Sequence, residues 1–310
     1  MSDVSSSAPA IPLPPRRRNR ARRRFLRHKG AVVSAVVLLI VIAGALAAPL
    51  FEQWLGHGVN KMDITRRFAP PSWEYPFGTD EAGRDVLLRL LYGGRVSLLV
   101  GLIAALASAV IGTALGILAG YYGGKLDALL MRLTDAVISL PTLALLIVLA
   151  AIDLKKVGIP DSIAQSEAVS LYRIIFIISI VGWTGVARLV RGATLSMRAR
   201  EFVRAAVALG APARRIMLVH ILPNVVGPVI VATTLSVGGI ILTESVLSFL
   251  GLGIQSPMSS WGNMLSNAQE MLSQAPQLVI YPGVAIMVTV IAFNFLGDGL
   301  QDALDPRAGE

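Results

Sequence analysis

The chain has 310 residues, a mean hydropathy of +0.67, and 54% hydrophobic but only 15% charged residues. Soluble domains carry about 25% charged residues, so long apolar runs with this little charge indicate an all-α integral membrane protein. The absence of cysteine excludes a disulfide, a thiolate metal site and a cysteine nucleophile, while the net charge of +9 raises nucleic acid as a partner until its distribution is read.

Residues 1–15, MSDVSSSAPAIPLPP, are rich in serine and proline and are expected to be disordered. A basic run from Arg16 to Lys29 completes a cytoplasmic tail, 1–29. It reads as a topology signal, with anionic-lipid binding as the sharper alternative. Gly30 to Phe51 carries no charge and forms the first span. Ala45-Leu46-Ala47 resembles a signal-peptidase site, but 29 residues precede this span. Its apolar core also exceeds the roughly 7–15 residues of a signal peptide, so it reads as an uncleaved anchor, 30–51.

Residues 52–95 form an extracytoplasmic loop. Within it Thr79-Asp80-Glu81 offers an N-cap and acids for a first helical turn. Val86, Leu87, Leu90 and Leu91 then share one apolar face. The expectation for 78–95 is an amphipathic helix on the outer interface, with Gly93-Gly94 turning the chain into the membrane. Arg84 and Asp85 are candidate residues of an outer gate.

A core at 96–300 holds five more spans. They are Val96 to Gly124, Ala136 to Ile152 with Pro141 inside it, Ile174 to Ala187, Ile216 to Thr243, and Gln277 to Gly297. A span needs about 20 apolar residues, so the one from Ile174 is short unless it extends back to about Val169. Arg173 and Arg188 flank it and can snorkel to the interface. Gly101, Gly112, Gly116 and Gly120 lie in the second span, where they read equally as close helix packing or as ordinary membrane glycine content. Gly251, Gly253, Pro257 and Trp261 predict a re-entrant or surface bend with an interfacial aromatic anchor. Residues 301–310 form the C-terminus. With the N-terminus inside, 19 Lys and Arg fall on the inner side and 9 on the outer, out of 28. The excess follows the positive-inside rule and places both termini in the cytoplasm of a multi-pass plasma-membrane protein. No aromatic residues interleave the arginine patches, so nucleic acid is not a partner.

Catalytic signatures are missing. No Gly-x-x-x-x-Gly-Lys-Ser/Thr loop is present to cradle phosphates, and no Gly-x-Ser-x-Gly elbow. His28, His57 and His220 lie in separate segments with no shared metal spacing. The expected chain is not an enzyme and holds no cofactor. An ion-coupled secondary carrier would need acids within its spans, and Glu244 is the one serious candidate. It falls about 30 Å along a helix from Pro223, near the far interface, and reads as an interfacial acid before a pathway residue. Asp135 and Asp298 read as interfacial.

The stretch RAAVALGAPARRIMLVHILPN, 204–224, interrupts the oily spans. Its loop, 188–223, carries seven arginines and one acid, Glu201. Glu201 to Leu209 predicts a short helix with Phe202, Ala206 and Leu209 on one face. Gly210 suits its left-handed end, and Pro212 the first turn of a second helix. A topology signal needs no such hinge.

Ala205-Ala206, Gly210 and Leu222-Pro223 resemble the EAA loop of ABC-importer permeases, the coupling helix of which sits in a cleft on the ATPase subunit. Two positions depart from that pattern. Arg204 stands where Glu is usual, with Glu201 one turn earlier to replace its charge, and His220 stands at an aliphatic position. HILPN is nonetheless typical of the peptide-importer branch. So are FGTDEAGRDVLLRLLYGGRVSL (77–98), LSFLGLGIQSPMSSWGNML (247–265) and FNFLGDGLQDALDP (293–306). The resemblance runs from about Arg24 to Arg307 and is nearest to the C permeases of dipeptide and oligopeptide importers.

It implies a type I ABC importer (MetI-like) permease fold with six transmembrane helices. It also implies a homologous permease as heterodimer partner, two ATP-binding subunits holding ATP and Mg, and an extracytoplasmic substrate-binding protein. Nickel and glutathione importers belong to the same branch, so they remain alternative cargoes.

Overall fold

Hydrocarbon offers backbone groups no water, so an apolar run there must close its hydrogen bonds within itself. Each long apolar run of this chain does so as a helix. The computed structural model describes residues 17–158, 160, 166–266 and 268–304. The tail 1–15, expected to be disordered, lies outside them, as do Asp305 and Pro306 of the C-terminal motif. Among the described residues there are helices and connecting turns but no strand beyond an isolated bridge between Thr79 and Asp85.

The basic run opens as α1 (Arg17–Arg27), and α2 (Lys29–Leu46) is the first span. The expected anchor was longer. Its end breaks off as α3 (Ala48–Leu55), with Pro49 in the first turn, where a missing N–H does no harm. The second span, α4 (Val86–Tyr122), has 37 residues. It overturns the separate interfacial helix expected before Gly93-Gly94, because the chain runs straight through both glycines. They serve close approach instead of a turn. A Cβ on Gly94 would lie 2.9 Å from Cζ2 of Trp261, and one on Gly93 3.2 Å from the Ser260 backbone.

α5 (Gly124–Ser139) and α6 (Thr142–Ala151) pass as one span only together, bent by 86°. Pro141 bars the α region to the residue before it, and Leu140 is extended, with ψ 141°. The fourth span, α7 (Glu167–Arg198), has 32 residues and extends past Val169, so Arg173 and Arg188 lie inside it. α8 (Glu201–Ala208) is the short helix expected there. α9 runs over Ala213–Phe249, α10 over Ala268–Gln274 and α11 over Gln277–Leu304. Counting α5–α6 as one, six spans result.

The tightest packing joins α4 to α7. A Cβ on Gly116 would lie 2.6 Å from the Ala187 carbonyl oxygen and 2.8 Å from Cβ of Val190. Gly112 and Gly120 meet α7 as closely, whereas Gly101 meets Ile241 of α9. Close packing is therefore the role of these glycines. Gly116→Leu must force α4 off α7, because the obstacle is backbone, and overpacking of this kind costs about 1–3 kcal/mol or more. We expect much lower membrane abundance and loss of protease resistance for Gly116→Leu. Gly185→Leu on α7, where a Cβ would meet nothing within 4 Å, should leave both unchanged.

Candidate functional site

Sequence and packing make two features at opposite ends of the bundle. One is the corner between α7 and α9. Glu201 occupies the first turn of α8, where an acid favours the helix dipole. The helix ends in a Schellman motif, with the Gly210 amide donating to Val207 and the Ala211 amide to Ala206, both at 3.0 Å. Gly210 has φ +77°, and a Cβ there would meet nothing within 4 Å. The backbone conformation alone demands glycine. Pro212 sits one residue outside the expected first turn, as an extended cap (ψ 148°) ahead of Ala213–Arg215. A π segment, Ile216–Ile221, then leads into Leu222-Pro223. Pro223 cannot donate to the preceding turn, and a widened turn absorbs that loss.

Val203 holds this corner to the bundle. It is fully buried in a cluster with Ile216, Ile221 and Val225. The face expected to be apolar points outward instead, with Phe202 46% and Leu209 88% exposed. Ala205 is exposed and Ala206 half-buried. The His220 ring stacks at a tilt 6.4 Å from Phe202, tying α8 to the π segment. Leu222 is half-buried and Pro223 exposed at the junction with α9. Arg204 is exposed and makes no ion pair among the described residues. With Arg198, Tyr121, Tyr122 and Val207 it lines a groove of about 590 Å³ beside α8. The corner thus keeps Phe202 and Leu209 uncovered beside a groove that carries Arg198 and Arg204.

The second feature lies where α9 ends and α4 begins. Glu244 is fully buried, which overturns its reading as an interfacial acid. It accepts from Ser97 of α4 at 3.0 Å and from Ser248 at 2.7 Å. The Ser248 hydroxyl in turn accepts the Ile254 amide at 3.0 Å, and that of Ser97 the Trp261 amide at 3.2 Å. Glu244 thus ties the loop 250–266 to two spans. Trp261 is 3% exposed, and its indole N–H donates to the Leu90 carbonyl at 2.9 Å, so it is an internal peg and no interfacial anchor.

Arg84 and Asp85, expected at an outer gate, are engaged within the chain. Arg84 pairs with Asp80 at 2.8 Å and with Glu81 at 3.1 Å. The N-cap of α4 is Asp85, not Thr79 to Glu81. Its carboxylate accepts the Leu88 amide at 2.9 Å and faces Nε2 of His57 at 3.0 Å. Asp80 also pairs with Arg89, whose Nε donates to Ser259 at 3.2 Å. Nearby, the Thr65 hydroxyl donating to Asp63 holds that carboxyl below its ordinary range. Sequence reasoning missed Arg89, Ser97 and Val203. Arg89 had a signal, a lone cation in an apolar helical run, whereas the other two had none.

Comparison with known proteins agrees with this arrangement. The family model described as "Binding-protein-dependent transport system inner membrane component" matches residues 112–310. A second, "N-terminal TM domain of oligopeptide transport permease C", matches 18–71. The oligopeptide transport system permease protein OppC of Haemophilus influenzae is 43% identical over 93% of this chain and 88% of its own length. That of Escherichia coli K12 is 41% identical, over 93% of this chain and 90% of its own. The dipeptide transport system permease protein DppC of Alkalihalophilus pseudofirmus is 39% identical, over 93% and 89%. The first match takes in both the docked corner and the loop held by Glu244, and the chain belongs to the family of binding-protein-dependent transport system inner membrane components, as a multi-pass permease subunit.

Proposed function

We propose that this chain is one permease half of an ATP-driven importer that carries dipeptides or oligopeptides across the plasma membrane. The observation that carries the proposal is the corner at Gly210. A short helix pinned by one buried residue, Val203, presents apolar and basic surface outward. Such a lever moves as a body and transmits a push to α7 and α9, the spans at its two ends. A homologous permease completes the pathway, and an extracytoplasmic binding protein delivers the cargo. Two ATP-binding subunits hold ATP and Mg and seat on the corner, so hydrolysis belongs to them and this chain is not itself an enzyme. The peptide cargo is supported by the oligopeptide and dipeptide permeases that this chain resembles over nearly its whole length.

The test is reconstitution of the purified complex in liposomes with its binding protein. Uptake of labelled di- and tripeptides should require ATP and stop when the ATPase subunits are omitted. Uptake driven by an ion gradient without them overturns the reading in favour of a secondary carrier. Uptake of nickel or glutathione in place of peptides overturns the cargo.

Orientation follows from the 19-to-9 split of basic residues. Reporters fused after Ala308 and within 152–172 should report opposite sides, the first cytoplasmic. Activity on the same side from both contradicts the topology.

A further inference from the structure

A groove of about 380 Å³ runs between α2 and α11, lined by Val33, Val37, Val288, Ile291 and Phe295, with Lys29 at one end. Val288 also lines a second groove of about 300 Å³, with Val41, Leu90, Tyr281 and Val284, so the two adjoin end to end. Val33, Ile291 and Phe295 are 62%, 47% and 48% exposed, so the channel opens sideways along two spans. From Lys29 to Val41 the helix rises about 18 Å, close to the ~15 Å of hydrocarbon in one leaflet.

Charge is confined to one end of this channel. α1 carries Arg22, Arg23, Arg24 and Arg27 and packs against α11, the far wall of the groove. The junction is fixed. The His28 ring caps α2 by accepting the Ala31 amide at 3.0 Å, and its Nε2 lies 3.7 Å from Asp302 of α11. Gly299 of α11 is pressed against Ala31 so closely that a Cβ would lie 2.1 Å from the alanine's own. Asp298 and Asp302 are the acids at that end of α11, against five cations, and Asp302 already faces His28.

We propose that this channel is a binding site for an anionic phospholipid, with one acyl chain along Val33 to Val41 and the phosphate at Lys29 and the end of α1. The fit is chemical at both ends. An apolar slot of one leaflet's depth suits an acyl chain, and a cluster of cations beside only its mouth suits a phosphodiester. Under the proposed topology the lipid belongs to the cytoplasmic leaflet. It would lock the basic tail, α2 and α11 together, which no contact of the neutral annulus would do.

The experiment uses the full chain in nanodiscs of phosphatidylcholine doped with phosphatidylglycerol, with retained lipid counted by native mass spectrometry after extraction. The wild type should retain phosphatidylglycerol in preference to phosphatidylcholine. Lys29→Gln removes one exposed cation and should weaken that preference about fivefold. Val33→Trp, at an exposed position, should fill the slot and lower retention of both lipids while the fold persists. No headgroup preference in the wild type would reduce the groove to ordinary annulus and overturn the proposal. Retention of phosphatidylglycerol untouched by Val33→Trp would assign the binding to the basic tail alone, which also overturns the proposal. A third arm guards against a protein occupant. If a photoreactive group at Phe295 crosslinks the second permease subunit in the complex and no lipid, the groove is a subunit contact and the proposal fails.

Discussion

Gly210→Val should leave the subunit inserted and abundant while substrate uptake collapses. A β-branched residue at φ +77° pays about 1–2 kcal/mol of backbone strain. That is too little to unfold a bundle whose main contact, α4 on α7, lies elsewhere. No side chain stands within 4 Å of the new Cβ, so the whole effect passes through the backbone. The relief available is to lose the Schellman bonds from Gly210 and Ala211, which swings α8 about its buried residue, Val203. In the proposed complex, basal ATP hydrolysis should persist, while its stimulation by loaded binding protein drops. Ala211→Val, next in the chain but free of the left-handed requirement, should be milder. Wild-type uptake by Gly210→Val would show that the corner does not couple.

Glu244→Leu should be as damaging at the other end. It strips the acceptor from two buried hydroxyls, on Ser97 and Ser248. Each buried O–H left without an acceptor costs about 1–3 kcal/mol. Those hydroxyls also receive the Trp261 and Ile254 amides, so the loop 250–266 loses its fixed seat on α4 and α9. Transport should fall sharply, and a cysteine placed at Met258 should become more reactive to an aqueous thiol reagent. Glu244→Gln keeps an oxygen acceptor in the same volume and should retain most activity. Equal loss in both variants would mean that the negative charge itself matters, which would return Glu244 to the pathway. Unchanged labelling in Glu244→Leu would show that the loop is held by other contacts.

Much was legible along the chain because it is a property of runs and neighbours. An uncharged run long enough to span must be helical, since lipid leaves the backbone no other partner. The distribution of lysine and arginine predicts a sidedness. The corner at Gly210 is local too, since a Schellman end involves only residues 206–211, and the expected left-handed glycine is there at φ +77°. Pro141 breaks its helix for an equally local reason, although the span read from Ala136 to Ile152 takes it inside.

What neighbours cannot specify was decided by packing. Gly93-Gly94 reads as a turn, yet the pair runs through a helix, because Trp261, far along the chain, needs room against it. The same cause separates Gly101 from Gly112, Gly116 and Gly120, which share a helix but meet different partners. Glu244 lies near the end of α9, and by helical distance alone it reaches an interface. Only the fold brings Ser97 across from α4 to bury it. The apolar face of α8 shows the limit most plainly. Periodicity finds Phe202, Ala206 and Leu209 on one side, but whether that side meets the protein's own core or a partner depends on where Val203 is pinned. A pattern of hydrophobic residues determines which face is apolar, and only the tertiary contacts determine what that face has left to bind.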